Sequence, residues 1–281
     1  MTIIDTHQHF WDPSEMDLPK SPPEASILDN AYLPSDLEPE ISKVGVNYTV
    51  LVQGYPQDLD TNRWYFKHAN DNSFIAGVVA WVDLENPSTL DAQLDDLYLE
   101  PKFVGIRHNV EGELNPDWIL QDSVVESFKQ LAIRKVPYDM LVKPHHLSNV
   151  LKLLDKVPEL NMVIDHIAKP DIATGTSNNW AADLATISEN TNVYCKLSGM
   201  VTEADWTQWT TEDIRPYVDN VVEIFGFDRL MYGSDWPVCL LAANYDRVWS
   251  STNDLLQNLD HENYMKIFGE NAVKFYGVKL P

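Results

Sequence analysis

Apolar residues gather into eight short runs that are near-continuous rather than alternating. They are TIIDTHQ (2–8), YTVLVQG (48–54), FIAGVVAWV (74–82), FVGIRHNV (103–110), PYDMLVKP (137–144), NMVIDHIAKP (161–170), VYCKLSG (193–199) and RLMYGSDWPV (229–238). Runs of this length, rich in β-branched and aromatic residues, suit strands buried on both faces of a parallel sheet. Between them the spacing changes to that of helices. PSTLDAQLDDLYL (87–99) carries Leu90, Leu94 and Leu97 on one face, and SVVESFKQLAIRK (123–135), LSNVLKLLDKV (147–157), DIRPYVDNVVEIFG (213–226) and NDLLQNL (253–259) follow suit. A helix pair over 261–277 closes the chain. Eight strand–helix alternations in 281 residues predict a single-domain α/β fold, a distorted (β/α)8 TIM barrel spanning 1–281. An open doubly wound sheet is the other arrangement considered, but neither GxGxxG nor a Walker A sequence is present.

The stretch 12–39 interrupts the pattern. It holds Pro13, Pro19, Pro22, Pro23, Pro34 and Pro39 and reads as an irregular loop lying over a site. Long loops inside compact domains are usually functional or disordered.

Composition narrows the function classes. With 43 acidic against 20 basic residues the net charge is −23, which repels phosphates and disfavours nucleic acid or an anionic membrane as partner. No apolar run is long enough to span a bilayer and no signal-peptide pattern opens the chain, so a cytoplasmic protein is expected. Cys195 and Cys239 are the two cysteines and form no CxxC, which disfavours a disulfide scaffold or structural zinc cluster. A homo-oligomer is compatible with all of this.

In a (β/α)8 barrel the chemistry sits at the C-terminal ends of the strands, and the polar residues fall there. The run ends supply Asp5-Thr6-His7-Gln8-His9, Gln53, Arg107-His108, Lys143 with His145 and His146, Asp165-His166 with Lys169, Lys196 and Ser198, and Ser234-Asp235-Trp236. Six of eight histidines lie at or just after these ends; His68 and His261 do not. His7 and His9, two residues apart, project to one side of a strand and suit two imidazoles on one divalent ion. Each residue also has a structural reading: Asp165 and Asp235 as helix N-caps, Lys143 as a rim lysine, Arg107 or Lys196 in an ion pair. Taken together they favour one shared polar pocket, because unpartnered buried polar groups are costly.

The blocks DTHQHFWDP, FVGIRHNVEGE, DHIAKP, YCKLSGMVTEADW and RLMYGSDWPV, with NAVKFYG near the end, make the chain similar to the amidohydrolase superfamily. Within it the chain resembles the amidohydrolase-2 group, which contains fucono-, rhamnono- and galactonolactonases and the pyrone-dicarboxylate lactonase. The resemblance implies a hydrolase opening a cyclic ester, a sugar-derived aldonolactone, with a role in carbohydrate metabolism. By motif it implies His7, His9, His166 and Asp235 as metal ligands, and Asp235, His166 and Arg107 as catalytic residues. Asp235 would be general base toward a water, and Arg107 and His166 would stabilise the oxyanion. Arg107 stands where a bridging lysine would sit, which disfavours two metals. One divalent ion, zinc before manganese, and metal-independent action both fit the motifs. Trp11, Gln53, His108, Lys143, His145, His146, Ser198 and Trp236 are the expected substrate-binding residues. A dicarboxylate substrate would need several arginines, and none besides Arg107 ends a strand. The rival readings are a metal-dependent decarboxylase of an aromatic or small carboxylic acid, and a non-catalytic sugar-binding barrel.

Overall fold

The computed structural model describes residues 2–176, 179–190 and 192–280. Each apolar run contributes one strand: β1 (Ile4–Gln8), β2 (Tyr48–Val52), β3 (Ile75–Ala80), β4 (Phe103–His108), β5 (Tyr138–Met140), β6 (Met162–Ile164), β7 (Val193–Leu197) and β8 (Leu230–Tyr232). They lie side by side in sequence order, and every neighbouring pair is parallel. The ring closes between β8 and β1 by single contacts rather than a ladder. Thr6 Oγ1 donates to the Tyr232 carbonyl at 2.6 Å, Asp235 N to His7 O at 2.8 Å and His9 N to Trp236 O at 2.7 Å. The fold is therefore a distorted (β/α)8 barrel in one domain.

Ten α-helices occur among the described residues: α1 (Pro34–Val44), α2 (Leu59–Asp71), α3 (Pro87–Leu97), α4 (Asp122–Arg134), α5 (Leu147–Lys156), α6 (Trp180–Ser188), α7 (Thr211–Phe225), α8 (Tyr245–Leu255), α9 (His261–Met265) and α10 (Asn271–Tyr276). Their apolar faces pack on the outside of the barrel, as with Leu90, Leu94 and Leu97 of α3. A separate apolar cluster fills the lower end of the barrel. There Ile4, Val50, Val104, Val163, Tyr194 and Met231 from the strands meet Phe275 and Tyr276 of α10.

The segment 12–39 is more ordered than its prolines imply. It holds a 3-10 helix over Pro23–Asp29 and the start of α1. Pro34 occupies the first helical turn, where its missing N–H costs nothing, and the Asp36 carboxylate accepts from Leu33 N at 2.8 Å.

Candidate active site

Strand ends aim three imidazoles at one carboxylate. Asp235 Oδ1 lies 3.5 Å from His9 Nε2, 3.8 Å from His7 Nε2 and 3.8 Å from His166 Nε2. All four residues are buried. His7 and His9 come from the end of β1, and their Nε2 atoms are 3.1 Å apart. Two backbone distortions bring in the other pair. The chain after β6 passes through four successive left-handed residues, His166 to Lys169, and Asp235 after β8 is left-handed at φ 59°. Such conformations cost roughly 1–3 kcal/mol each and persist only where surroundings fix them. Asp5 supplies part of that fixing: its Oδ1 accepts from His7 N at 3.1 Å and Ser234 N at 2.8 Å, joining the β1 end to the loop that carries Asp235. Burial pushes the Asp5 carboxyl up to about 6.

The imidazole protons can be assigned in part. His9 Nδ1 sits 2.6 Å from the Val52 carbonyl, which only accepts, so the proton is on Nδ1 and Nε2 carries a lone pair toward Asp235. His166 Nδ1 meets Ser198 Oγ at 2.8 Å. Burial keeps His7, His9 and His166 neutral at pH 7; for His166 it lowers the pKa to about 4. Burial alone would raise Asp235, but the neighbouring imidazoles outweigh it and hold the carboxyl well below its usual range. Neutral imidazole nitrogens around an ionised carboxylate are the donor set of a zinc-type cation. His7, His9 and Asp235 meet that description in distance and burial. A second cluster of His7, Asp165 and His166 adjoins it. There the Lys196 ammonium already lies 3.0 Å from Asp165 Oδ1 and 2.5 Å from Asp139 Oδ2, so the cation position is taken by a side chain.

Arg107 reaches the centre from β4. Its Nε donates to the Gln53 carbonyl at 2.9 Å, its second terminal nitrogen donates to the same oxygen, and NH1 stands 3.2 Å from His7 Nε2. Above this floor is a cavity of about 240 Å³. Its polar lining includes His9, Arg107, Asn109, Glu111, His166, Lys169 and Asp235, and its apolar lining includes Trp11, Leu18, Pro19, Leu28, Leu141 and Val238. The segment after β1 thus supplies an apolar wall, and the Trp11 indole N–H ties it by donating to Leu28 O and Asn30 O at 3.1 and 2.8 Å.

The expected substrate contacts divide. Trp11 lines the cavity. Ser198 acts on His166 instead. The Gln53 side chain turns away and donates to Pro56 O at 2.5 Å. His108 faces outward: it accepts from Trp81 Nε1 at 3.1 Å, pairs with Glu113 at 2.7 Å and stacks on Trp118. Trp236 packs edge-on against Phe10 and Tyr32 behind the wall. His146 accepts from Lys143 N at 3.1 Å, while Lys143 and His145 line an adjoining recess beside Lys169 and Glu203. Residue type and strand-end position do not reveal which way a side chain turns.

Glu111, Asn109 and Tyr55 line the cavity without having been singled out. Glu111 accepts from Lys169 at 2.8 and 2.9 Å. Its signal lay in the RHNVEGE block, three residues past the end of β4.

Residues 4–278 match the family model described as "Amidohydrolase". The chain belongs to the amidohydrolase family. It is 37% identical to an L-fucono-1,5-lactonase of Burkholderia ambifaria over 99% of this chain and 96% of that one. A crystal structure of an amidohydrolase from Burkholderia multivorans with bound zinc superposes with TM-score 0.91 at 31% identity, covering 99% and 100% of the two chains. A 2,6-dihydroxybenzoate decarboxylase from Rhizobium, at 13% identity, TM-score 0.69 and 98% coverage of both, shares the fold alone. No helix among the described residues is long and apolar enough to cross a membrane.

Proposed function

We propose that this amidohydrolase opens a sugar-derived aldonolactone by hydrolysis of its ring ester. The observation that carries the reading is the convergence of His7, His9 and His166 on Asp235 Oδ1 at a cavity lined by both polar and apolar side chains. The 37% identity to an L-fucono-1,5-lactonase supports the substrate class.

His7, His9 and Asp235 would hold one divalent ion of the zinc type, and the bound zinc of the Burkholderia multivorans relative supports that choice. Such an ion lowers the pKa of a coordinated water toward about 7 and polarises a carbonyl.

The protein's own groups account for the rest. Asp235, ionised and buried, accepts a proton from the attacking water. The requirement is hydrogen-bond reach, about 2.6–3.2 Å, in the complex with substrate. The Arg107 guanidinium, fixed by the Gln53 carbonyl, places positive charge where the lactone carbonyl becomes an oxyanion. His166, held by Ser198, offers Nε2 to the same oxygen or to the departing ring oxygen. Asp235 then returns its proton to the alkoxide. Glu111, Asn109 and Lys169 present acceptors and donors for the sugar hydroxyls, while Leu18, Leu28 and Val238 give the same cavity apolar surface.

The test is acid release from a panel of aldonolactones in weak buffer with a pH indicator. Turnover of deoxy- and hydroxy-hexonolactones that is lost in Asp235→Asn is the expected result. No turnover of any lactone, or release of CO₂ from an aromatic acid, overturns the assignment.

A further inference from the structure

A recess of about 300 Å³ adjoins the cavity, and Lys169 lines both. Lys143 and His145 after β5, Asp171 after β6 and Glu203 after β7 line it further. Two carboxylates flank the Lys169 ammonium unequally. Glu111 accepts from it through both oxygens at 2.9 and 2.8 Å, whereas Glu203 Oε1 stands 3.6 Å away, past hydrogen-bond length. Among the described residues no hydrogen bond reaches the Glu203 carboxylate, although its side chain is only 21% exposed. Its backbone is fixed: Glu203 N donates to Met200 O at 3.2 Å, and Ala173 N donates to Glu203 O at 2.9 Å. The carboxylate is therefore held in place, largely shielded and short of donors.

Electrostatics agree. Burial pushes both carboxyls up. At Glu111 the Lys169 charge outweighs burial and the pKa falls; at Glu203 it does not and the pKa rises, with Glu111 and Asp235 adding to the rise. The recess thus lies within the field of Asp235, the carboxylate at the centre of the site. Its own charges are mixed, since Lys143 and Lys169 oppose Asp171 and Glu203. An anion or a cation would meet repulsion from one pair. A neutral group rich in hydroxyls meets none, because each hydroxyl can donate to a carboxylate and accept from an ammonium. A shielded acceptor without a donor is costly, and a hydroxyl placed there removes the cost.

We propose that this recess is a second part of the lactone site, which binds the hydroxylated chain carried outside the lactone ring, with Glu203 accepting from a chain hydroxyl. Glu203 is then a specificity-determining residue, and Lys169 is the wall shared by ring and chain. Lys143 and His145, expected from the sequence as substrate contacts, take that role through the chain rather than the ring. The proposal rests on the lactonase reading and deepens it: the substrates favoured are aldonolactones whose exocyclic chain is long enough to reach Glu203.

The experiment measures binding without turnover. The γ-lactams of tetronic, pentonic, hexonic and heptonic acids share one ring and differ only in the hydroxylated chain outside it, and a ring amide opens far more slowly than an ester. Their affinities are compared by isothermal titration calorimetry. In the wild type, affinity should rise about tenfold or more at the chain length that first reaches Glu203, the usual worth of a hydrogen bond to a charged group. Glu203→Met should abolish that step and leave the shortest lactam unaffected. Glu203→Gln keeps the shape and one acceptor oxygen but loses the charge, so the step should shrink; it serves as the test should Glu203→Met fail to fold. Affinity that stays flat along the wild-type series overturns the proposal. So does a step that survives both substitutions, or an equal weakening of every lactam, which would make Glu203 a general support for Lys169. Lactone hydrolysis is measured separately, so failure here and failure of the lactonase assignment are distinguishable.

Discussion

At the scale of single residues, the centre depends on atoms whose partners leave little freedom. Asp235 is the residue whose charge the water must use. Asp235→Asn keeps the shape but removes the acceptor, and kcat should fall roughly 10²–10⁴-fold, the usual worth of a positioned general base. Metal content measured alongside separates loss of the base from loss of a ligand. Arg107 is fixed by a bidentate contact to one carbonyl oxygen, which a lysine cannot reproduce. Arg107→Lys should lower kcat by about 10²–10³, the cost of removing one oxyanion donor, with KM changed far less. A KM that rises while kcat holds would assign Arg107 to ground-state binding.

At the scale of elements, each strand end is shaped by a local device that sequence shows unevenly. The eight strands were legible because burial on both faces leaves an apolar run. The helices were legible only where the apolar face is dense. The polar α2 (LDTNRWYFKHAND) escaped notice, as did α1 at the end of the proline-rich stretch and α6 (WAADLATIS), which is apolar but only nine residues long, though Asp58 caps α2 by accepting from Thr61 N at 2.7 Å. The pattern over 253–259 marks only the last turn of α8, which starts at Tyr245 after the Asn244 cap. His-x-His announced itself by spacing. The left-handed turn that swings His166 inward did not, since none of its residues is glycine. Gly199, at φ +62°, lies against that turn: a Cβ there would come 2.5 Å from His166 Nδ1. Gly199→Ala therefore displaces the ring from Ser198 and strains the backbone. Activity should drop at least tenfold, and stability by about 1–3 kcal/mol for a side chain in that conformation. Denaturant titration beside steady-state kinetics checks both, and full activity would show that His166 can move without consequence.

At the scale of the whole molecule, the polar layer across the barrel links stability to pH. Burial lowers His7, His9, His146 and His166 below the ordinary 6.5, with His166 and His146 near 4. Between pH 6.5 and 4 the unfolded chain binds protons that the folded chain refuses, so stability falls as pH falls through that window. For His166 alone the difference is worth on the order of 3 kcal/mol. Asp5 and Asp139 act in the opposite sense. Burial raises each from 3.8 to about 6, so the folded chain takes their protons first and they stabilise on acidification between 6 and 3.8. Asp165 and Asp235, both held well below 3.8, side with the histidines once pH drops under 4. Four buried imidazoles outweigh two raised carboxyls, so the chelator-treated protein should lose stability steadily from pH 6.5 to 4.5. The urea midpoint followed across that range measures it. A midpoint that holds constant or rises would mean that the carboxyls dominate. Asp139→Asn, which removes one of them, should steepen the fall. Saturating zinc should raise the midpoint at pH 6.5 and steepen its fall toward pH 4.5, because an ion bound only to the folded form adds stability by mass action that is lost as protons compete for the same nitrogens.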